Sequence, residues 1–283
     1  MKVCFIAREE MIMDLGLQRK HVLVTGGARG LGLAIAEAFL HEDAYVTILD
    51  SHKGNLASAL DRLLRIRSNT RSIWANVSDK IQVANAIQEA EDFKPIDVLV
   101  NNAGVASDHL FLDLESDEWQ RIINVNLTGA FLVAQTVARK MVARGKGGCI
   151  LNMSSKNGLF AELGYAHYNA SKFGIVGLTK TMALELAKYG IRTNAVCPGY
   201  LVTPMSEEID PPGFAQAIAE RHIPLGRPGA VDDVPGMFLF LASDRWAGFV
   251  NGQTFVIDGG QLAGQTPNST DLQRKPKLAS FFQ

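Results

Sequence analysis

Cysteine is scarce in this chain: Cys4, Cys149 and Cys197 are the only three among 283 residues. Their wide separation excludes a disulfide framework and offers no metal-ligand spacing, so no metal site is expected. An excess of charge of either sign is also lacking. The formal net charge is -1, which gives no electrostatic pull toward nucleic acid or an anionic membrane. Long apolar runs are missing as well. The stretch Met1–Ala7 stops at Arg8-Glu9-Glu10 and has no small-residue cleavage site. It is too short for a signal-peptide core and far too short to span a bilayer. A cytoplasmic setting, with a small-molecule partner rather than nucleic acid or membrane, is the expectation.

What is present is ordinary globular material, 47% hydrophobic and 20% charged, with length for a sizeable core. Strand patterns fall at 21–25, 45–50, 71–77, 97–103, 148–154, 192–197 and 253–258, with helical patterns between them. That alternation predicts an α/β fold, a doubly wound parallel sheet of seven strands with helices on both faces. One domain is expected over 15–260, since no polar linker interrupts the pattern. Residues 1–14 read as an appendage, with Met11 and Met13 as further candidate starts. Residues 261–283 form a polar, basic tail whose Phe281 and Phe282 leave open disorder or a docked arm. The helical stretches 116–144 and 166–189 are long and apolar. The proline-rich stretch 203–228 carries one short helical patch and reads as a lid, and 231–243 as a last helix.

Two patterns carry chemistry. In Tyr168-Asn169-Ala170-Ser171-Lys172, a helix places phenol and ammonium one turn apart on one face. A fixed ammonium favours the phenolate, and a shift of ~3 pH units corresponds to about 4 kcal/mol. That suits general acid/base work. Ser155 closes an apolar strand thirteen residues before Tyr168, which puts a hydroxyl at the strand's carboxyl end. Far upstream, the strand His21–Thr25 runs into Gly26-Gly27-Ala28-Arg29-Gly30-Leu31-Gly32 and an amphipathic helix. Strand, glycine turn and helix N-terminus make a phosphate cradle. The next strand ends in Asp50, where a dinucleotide fold needs a ribose acceptor. The strand from Asp97 ends in Asn101, Asn102, Ala103 and Gly104.

Together with Pro198-Gly199, these motifs resemble the short-chain dehydrogenase/reductase family, collinearly from about Leu17 to Gly260. The resemblance implies a Rossmann-type fold and an NAD(P)-dependent oxidoreductase. It implies that Tyr168 exchanges the substrate proton, that Lys172 lowers its pKa and holds the nicotinamide ribose, and that Ser155 binds the substrate oxygen. Asn126 falls where the family holds a water linking the lysine to solvent, with Asn124 as the competing candidate. Cofactor contacts are implied for Gly26, Arg29, Gly30, Leu31, Gly32, Asp50, Asn76, Val77, Asn102, Ala103, Gly104, Pro198, Gly199, Val202 and Thr203, besides Tyr168 and Lys172. At Asn76 the family commonly has Asp, so the side-chain contact to adenine differs here. A homotetramer built by the two long helices and the last strand is implied too. Phe131, Val133, Val137, Met141, Ile175, Leu178 and Met182 are the apolar positions offered for it.

Asp50 decides the cofactor expectation. Its carboxylate can accept both ribose hydroxyls, whereas a 2′-phosphate at about 4 Å would meet roughly 4 kcal/mol of repulsion at an effective dielectric near ~20. Arg29 argues for NADP. NAD is favoured over NADP. Asn157, Glu162, His167 and Tyr200 are polar or aromatic pocket candidates, which suits a secondary alcohol or ketone of a sugar, polyol or cyclic alcohol. The alternative is an NADPH-dependent 3-oxoacyl-[acyl-carrier-protein] reductase, for which Arg139, Lys140 and Lys188 give only a thin basic patch. A non-catalytic dinucleotide sensor is also open to the fold, but such a protein would be expected to lack Tyr168 or Lys172.

Overall fold

Strands that are apolar along their whole length need cover on both faces, and here the central strands supply two cores. Our computed structural model describes residues 14–264. Its strands are β1 (His21–Thr25), β2 (Tyr45–Asp50), β3 (Thr70–Trp74), β4 (Val98–Asn101), β5 (Gly148–Met153), β6 (Ile191–Pro198) and β7 (Thr254–Ile257). All pair in parallel, in the order β3-β2-β1-β4-β5-β6-β7. Val22, Val24, Val46, Ile48, Val98 and Val100 join one core. Their alternates Leu23, Leu49 and Leu99 join the other. This is the period-two alternation of side chains across a sheet.

Helices α1 (Gly30–His41), α2 (Lys53–Ile66), α3 (Lys80–Phe93), α4 (Ser116–Ile123), α5 (Ala130–Arg144) and α6 (Ala166–Leu186) fill the crossovers. After β6 come α7 (Pro204–Ile209), α8 (Phe214–His222), α9 (Pro235–Ala242) and α10 (Asp244–Ala247). The chain leaves β1 toward β2 on one side, and β4 pairs on the other. A crevice opens beyond the carboxyl ends at that reversal, where open α/β sheets bind ligands.

Several expectations change. β3 stops at Trp74, so Asn76 and Val77 lie in a turn rather than a strand; Asn76 Oδ1 accepts from the Ser78 amide at 3.0 Å. The lid holds two helices, not one patch, because Thr203 caps α7 and the pair Pro211-Pro212 breaks the chain before α8. Residues 116–144 are helical throughout but widen into a π-helical turn at Asn124–Gly129. Val133, Val137, Met141 and Ile175, offered for subunit contact, are buried in this chain's own core. Leu178 and Met182 are half-buried. On the outer faces stand Phe131, Phe173 and Leu184. Asp14 is tied to α10 through Arg245 and Trp246, and Gln261 and Leu262 are tied to Tyr200 and Asp258. Cys4, Met11, Met13, Phe281 and Phe282 lie outside the described residues.

His21 is a buried polar group in β1. Nε2 meets Thr47 Oγ1 at 2.8 Å and Nδ1 the Lys94 carbonyl at 2.5 Å. Burial lowers its pKa from 6.5 to about 4. The unfolded imidazole takes up a proton below 6.5 and the folded one does not until about 4. Stability is therefore complete above 6.5 and lost as pH falls through that window. At ~1.36 kcal/mol per pH unit the loss is roughly 3 kcal/mol. Urea unfolding at pH 7 and pH 4 should show His21→Gln losing about that much less than the unmodified protein. Equal losses would remove His21 as a cause.

Candidate active site

Two ends of one cleft, about 840 Å³ in volume, gather most of the residues singled out from sequence. At the nucleotide end, Gly26 takes φ +61, and a Cβ there would stand 2.9 Å from Ala103 Cα. A Cβ on Gly32 would meet the Gly26 carbonyl oxygen at 2.1 Å. Only glycine allows the turn to fold this closely under α1. Asn102 locks it: Nδ2 donates to the carbonyls of Thr25 at 2.9 Å and Gly26 at 3.1 Å. Thr25 Oγ1 in turn accepts from the amides of Asn102 and Ala103, each at 3.0 Å. Arg29, at the N-cap of α1, makes no side-chain cap. The first amides of α1 are therefore left for a ligand at the positive end of the helix dipole. Asp50 ends β2 at the same cleft, held by the amides of Ala28 at 3.2 Å and His52 at 3.0 Å. A glycine cradle, an uncapped helix start and an acid beside it fit a dinucleotide.

Gly30, Leu31, Asn76, Val77, Gly104, Pro198, Gly199 and Thr203 also line the cleft. Val202 and Asn126 are absent from the wall. The Val202 amide instead donates to the Gly229 carbonyl at 2.9 Å.

At the other end stand Ser155, Tyr168 and Lys172. Lys172 is only 4% exposed, and Nζ donates to the Met153 carbonyl at 3.1 Å. Nζ lies 5.4 Å from the Tyr168 ring centroid. Burial lowers the ammonium's pKa to about 8. Burial also pushes the Tyr168 phenol up to about 12, and a hydrogen bond with Ser155 pulls it back only in part. The direction is opposite to that expected from a neighbouring ammonium. Desolvation penalises both charged forms. In this state Tyr168 is a protonated donor at neutral pH.

Asn126 sits behind the wall, in the π-helical turn. Its Nδ2 donates to the Val105 carbonyl at 2.9 Å and to Ser171 Oγ at 3.2 Å, and its Oδ1 accepts from the Val105 amide at 2.8 Å. A Cβ on Gly104 would lie 3.5 Å from Asn126 Oδ1 and 3.6 Å from Lys172 Nζ, so the two groups flank that glycine. π-turns inside helices recur at functional sites. Asn124, the competing position, bonds outward to Gln120 instead.

Besides Glu162, the substrate end carries two charges that the sequence analysis did not single out, Lys156 and Asp210. Lys156, buried beside Ser155, donates to Glu162 Oε2 at 2.6 Å. Asn157 Nδ2 reaches the same oxygen at 3.2 Å and Asn169 Oδ1 at 2.8 Å. Tyr200 donates its hydroxyl to Asp210 Oδ2 at 2.7 Å. Tyr165 lines this end too, its phenol pushed up to about 12 by burial and then by Asp210, Glu162 and Asp108. His167 lies off the wall, buried against Ser107. Lysine beside the strand-end serine was a readable signal for Lys156. No local pattern announced Asp210.

The glycine turn and the cluster of Ser155, Tyr168 and Lys172 share one cleft. A family model described as enoyl-(acyl carrier protein) reductase matches residues 26–261. The 3-oxoacyl-[acyl-carrier-protein] reductase of Thermotoga maritima is 40% identical over 86% of this chain and 98% of its own length. A 3alpha-hydroxysteroid dehydrogenase of Mediterraneibacter gnavus is 36% identical over 87% and 98%. The crystal structure of a short-chain type dehydrogenase/reductase from Mycobacterium marinum is 35% identical and covers 89% of this chain and 98% of that one, with a TM-score of 0.83. This chain belongs to the short-chain dehydrogenase/reductase family and is an oxidoreductase. Among its described residues, no helix is long and apolar enough to cross a membrane.

Proposed function

We propose that this chain interconverts a secondary alcohol and its ketone, with Tyr168 giving or taking the substrate proton. One observation carries the reading: phenol, hydroxyl and buried ammonium converge at one end of a cleft whose other end is a dinucleotide cradle. Gly26, Gly30, Leu31 and Gly32, with the first amides of α1, hold the pyrophosphate. Asp50 takes the adenosine ribose, and Asn76 and Val77 the adenine. Asn102, Ala103, Gly104, Pro198, Gly199 and Thr203 complete the cofactor wall, and Lys172 holds the second ribose. A nicotinamide bound there would supply or accept the hydride. Ser155 binds the substrate oxygen beside Tyr168 and steadies the charge that develops there. Asn126 fixes the backbone at Val105 and so the floor under Lys172. Asp50 supports NAD.

For the substrate, the relatives support a 3-oxoacyl thioester better than the sugar, polyol or cyclic alcohol expected from sequence. The supporting fact is the 40% identity to the Thermotoga maritima reductase over nearly its full length. A second reading, a hydroxylated substrate, is favoured by the Lys156–Glu162 pair and the Tyr200–Asp210 pair on the wall. Such pairs offer donors and acceptors to hydroxyl groups and nothing to an alkyl chain.

Turnover of acetoacetyl thioesters and of a polyol, sugar and cyclic-alcohol panel, each with both cofactors, separates the two. The first reading expects the thioester to lead, and turnover confined to the panel would replace it with the second. Tyr168→Phe should lower kcat at least ~100-fold on whichever substrate turns over, with NADH affinity changed less than about threefold. Retained activity would sink the role of Tyr168.

We further propose a homotetramer, supported by Phe131, Phe173 and Leu184, exposed on α5 and α6 at 41%, 46% and 82%. Light scattering should give about four times the 30.7 kDa chain mass. A monomer at micromolar concentration would refute it.

A further inference from the structure

Glu208, near the end of α7, has a partner across the cleft. Both of its carboxylate oxygens are held by the guanidinium of Arg29: Nη2 donates to Oε2 at 3.2 Å, and Nη1 donates to Oε1. Arg29 belongs to the glycine turn, so the contact ties the lid to the nucleotide cradle. The first residue of α7 sits close by. Pro204 Cδ is 3.5 Å from where a Cβ on Gly30 would stand. Arg29 also feels the charge of Asp50. Among the described residues lining the cleft, the lysines and arginines are Arg29, Lys156 and Lys172. Lys156 is paired with Glu162, and Lys172 lies at Met153, both at the catalytic end. Arg29 is thus the one such cation at the adenosine end, and two carboxylates already draw on it.

We propose that Glu208 sets cofactor preference by acting through Arg29: it occupies the guanidinium that a ribose 2′-phosphate would need. The inference rests on the cleft's being a nicotinamide-dinucleotide site. The contact that holds the lid and the binding of a 2′-phosphate then compete for one side chain, and a nucleotide without that phosphate leaves the lid contact intact. Asp50 repels the phosphate directly, while Glu208 draws on the one lysine or arginine that lines this end among the described residues. With side chains 46% and 59% exposed, the ion pair is solvent-screened and readily exchanged. Glu208 therefore tunes the preference by a few-fold rather than dictating it.

Equilibrium binding of ADP-ribose and of ADP-ribose 2′-phosphate, read by calorimetry, tests this without turnover. The proteins compared are the unmodified chain, Glu208→Gln, and Glu208→Gln combined with Arg29→Gln. Glu208→Gln should tighten the phosphorylated probe by about two- to fivefold, the range of an exposed ion pair, and leave ADP-ribose essentially unchanged. Adding Arg29→Gln should abolish the gain, as should ~1 M salt. An equal change for both probes would make Glu208 a lid latch without selectivity, and no change would give it no role. Either result overturns the inference while leaving the dinucleotide reading in place. If ADP-ribose does not bind the unmodified chain, the dinucleotide reading fails and the inference with it.

Discussion

The catalytic end depends on the burial of one ammonium group. Lys172 has almost no exposed surface and one direct partner, the Met153 carbonyl at 3.1 Å. Taking an amine out of water disfavours its charge, and its pKa falls to about 8. The neighbouring elements are built around that position. Ser154 Oγ donates to the Lys172 carbonyl at 2.9 Å, pinning α6 to the end of β5. Gly158 allows the following loop to lie on α6, since a Cβ there would meet the Lys172 carbonyl oxygen at 2.6 Å. Asn126 reaches Ser171 from the other side. Backbone and small side chains, rather than opposite charges, fix the lysine, while Tyr168 one turn before it is half-buried on the cleft wall.

The two ends of the cleft follow different electrostatic rules. At the catalytic end desolvation decides, so Tyr168 is held protonated and Tyr165 and Tyr200 also move upward. At the adenosine end the side chains are more exposed, and pairing decides. Arg29 is raised and Glu208 lowered chiefly by their mutual hydrogen bonds. The lid joins these regimes, because Tyr200 and Asp210 face the substrate end while Glu208 faces the glycine turn. A single element in contact with both ligand positions can couple cofactor identity to substrate enclosure.

Much of this was legible in the sequence because its causes are local. Seven apolar strands between helical patterns are a sheet buried on both faces, and all seven lie where the pattern put them, with ends shifted by a few residues. The glycine turn, Asp50, Ser155, Tyr168 and Lys172 meet in one cleft because strand ends converge at the topological reversal. What was not legible depends on distant contacts. The pairing of Arg29 with Glu208 joins residues 179 apart in sequence. The π-helical turn at Asn124–Gly129 presses on the loop after β3, where a Cβ on Gly129 would meet Val77 Cγ2 at 2.8 Å. Helical spacing reveals the charge beside Tyr168 and says nothing about burial, which raises the phenol. Val133, Val137 and Met141 were assigned outward for the same reason, since apolar character alone does not tell which apolar surface a side chain meets.

Burial sets the protonation of Tyr168 in the free protein. Labelling the tyrosines with 13C at Cζ and titrating the free protein by NMR tests it, with Tyr168→Phe identifying the resonance. A signal that stays in the phenol form through pH 10 and begins to move only near its value of about 12 is the expected result. A midpoint below 10 would show that Lys172, not burial, governs Tyr168.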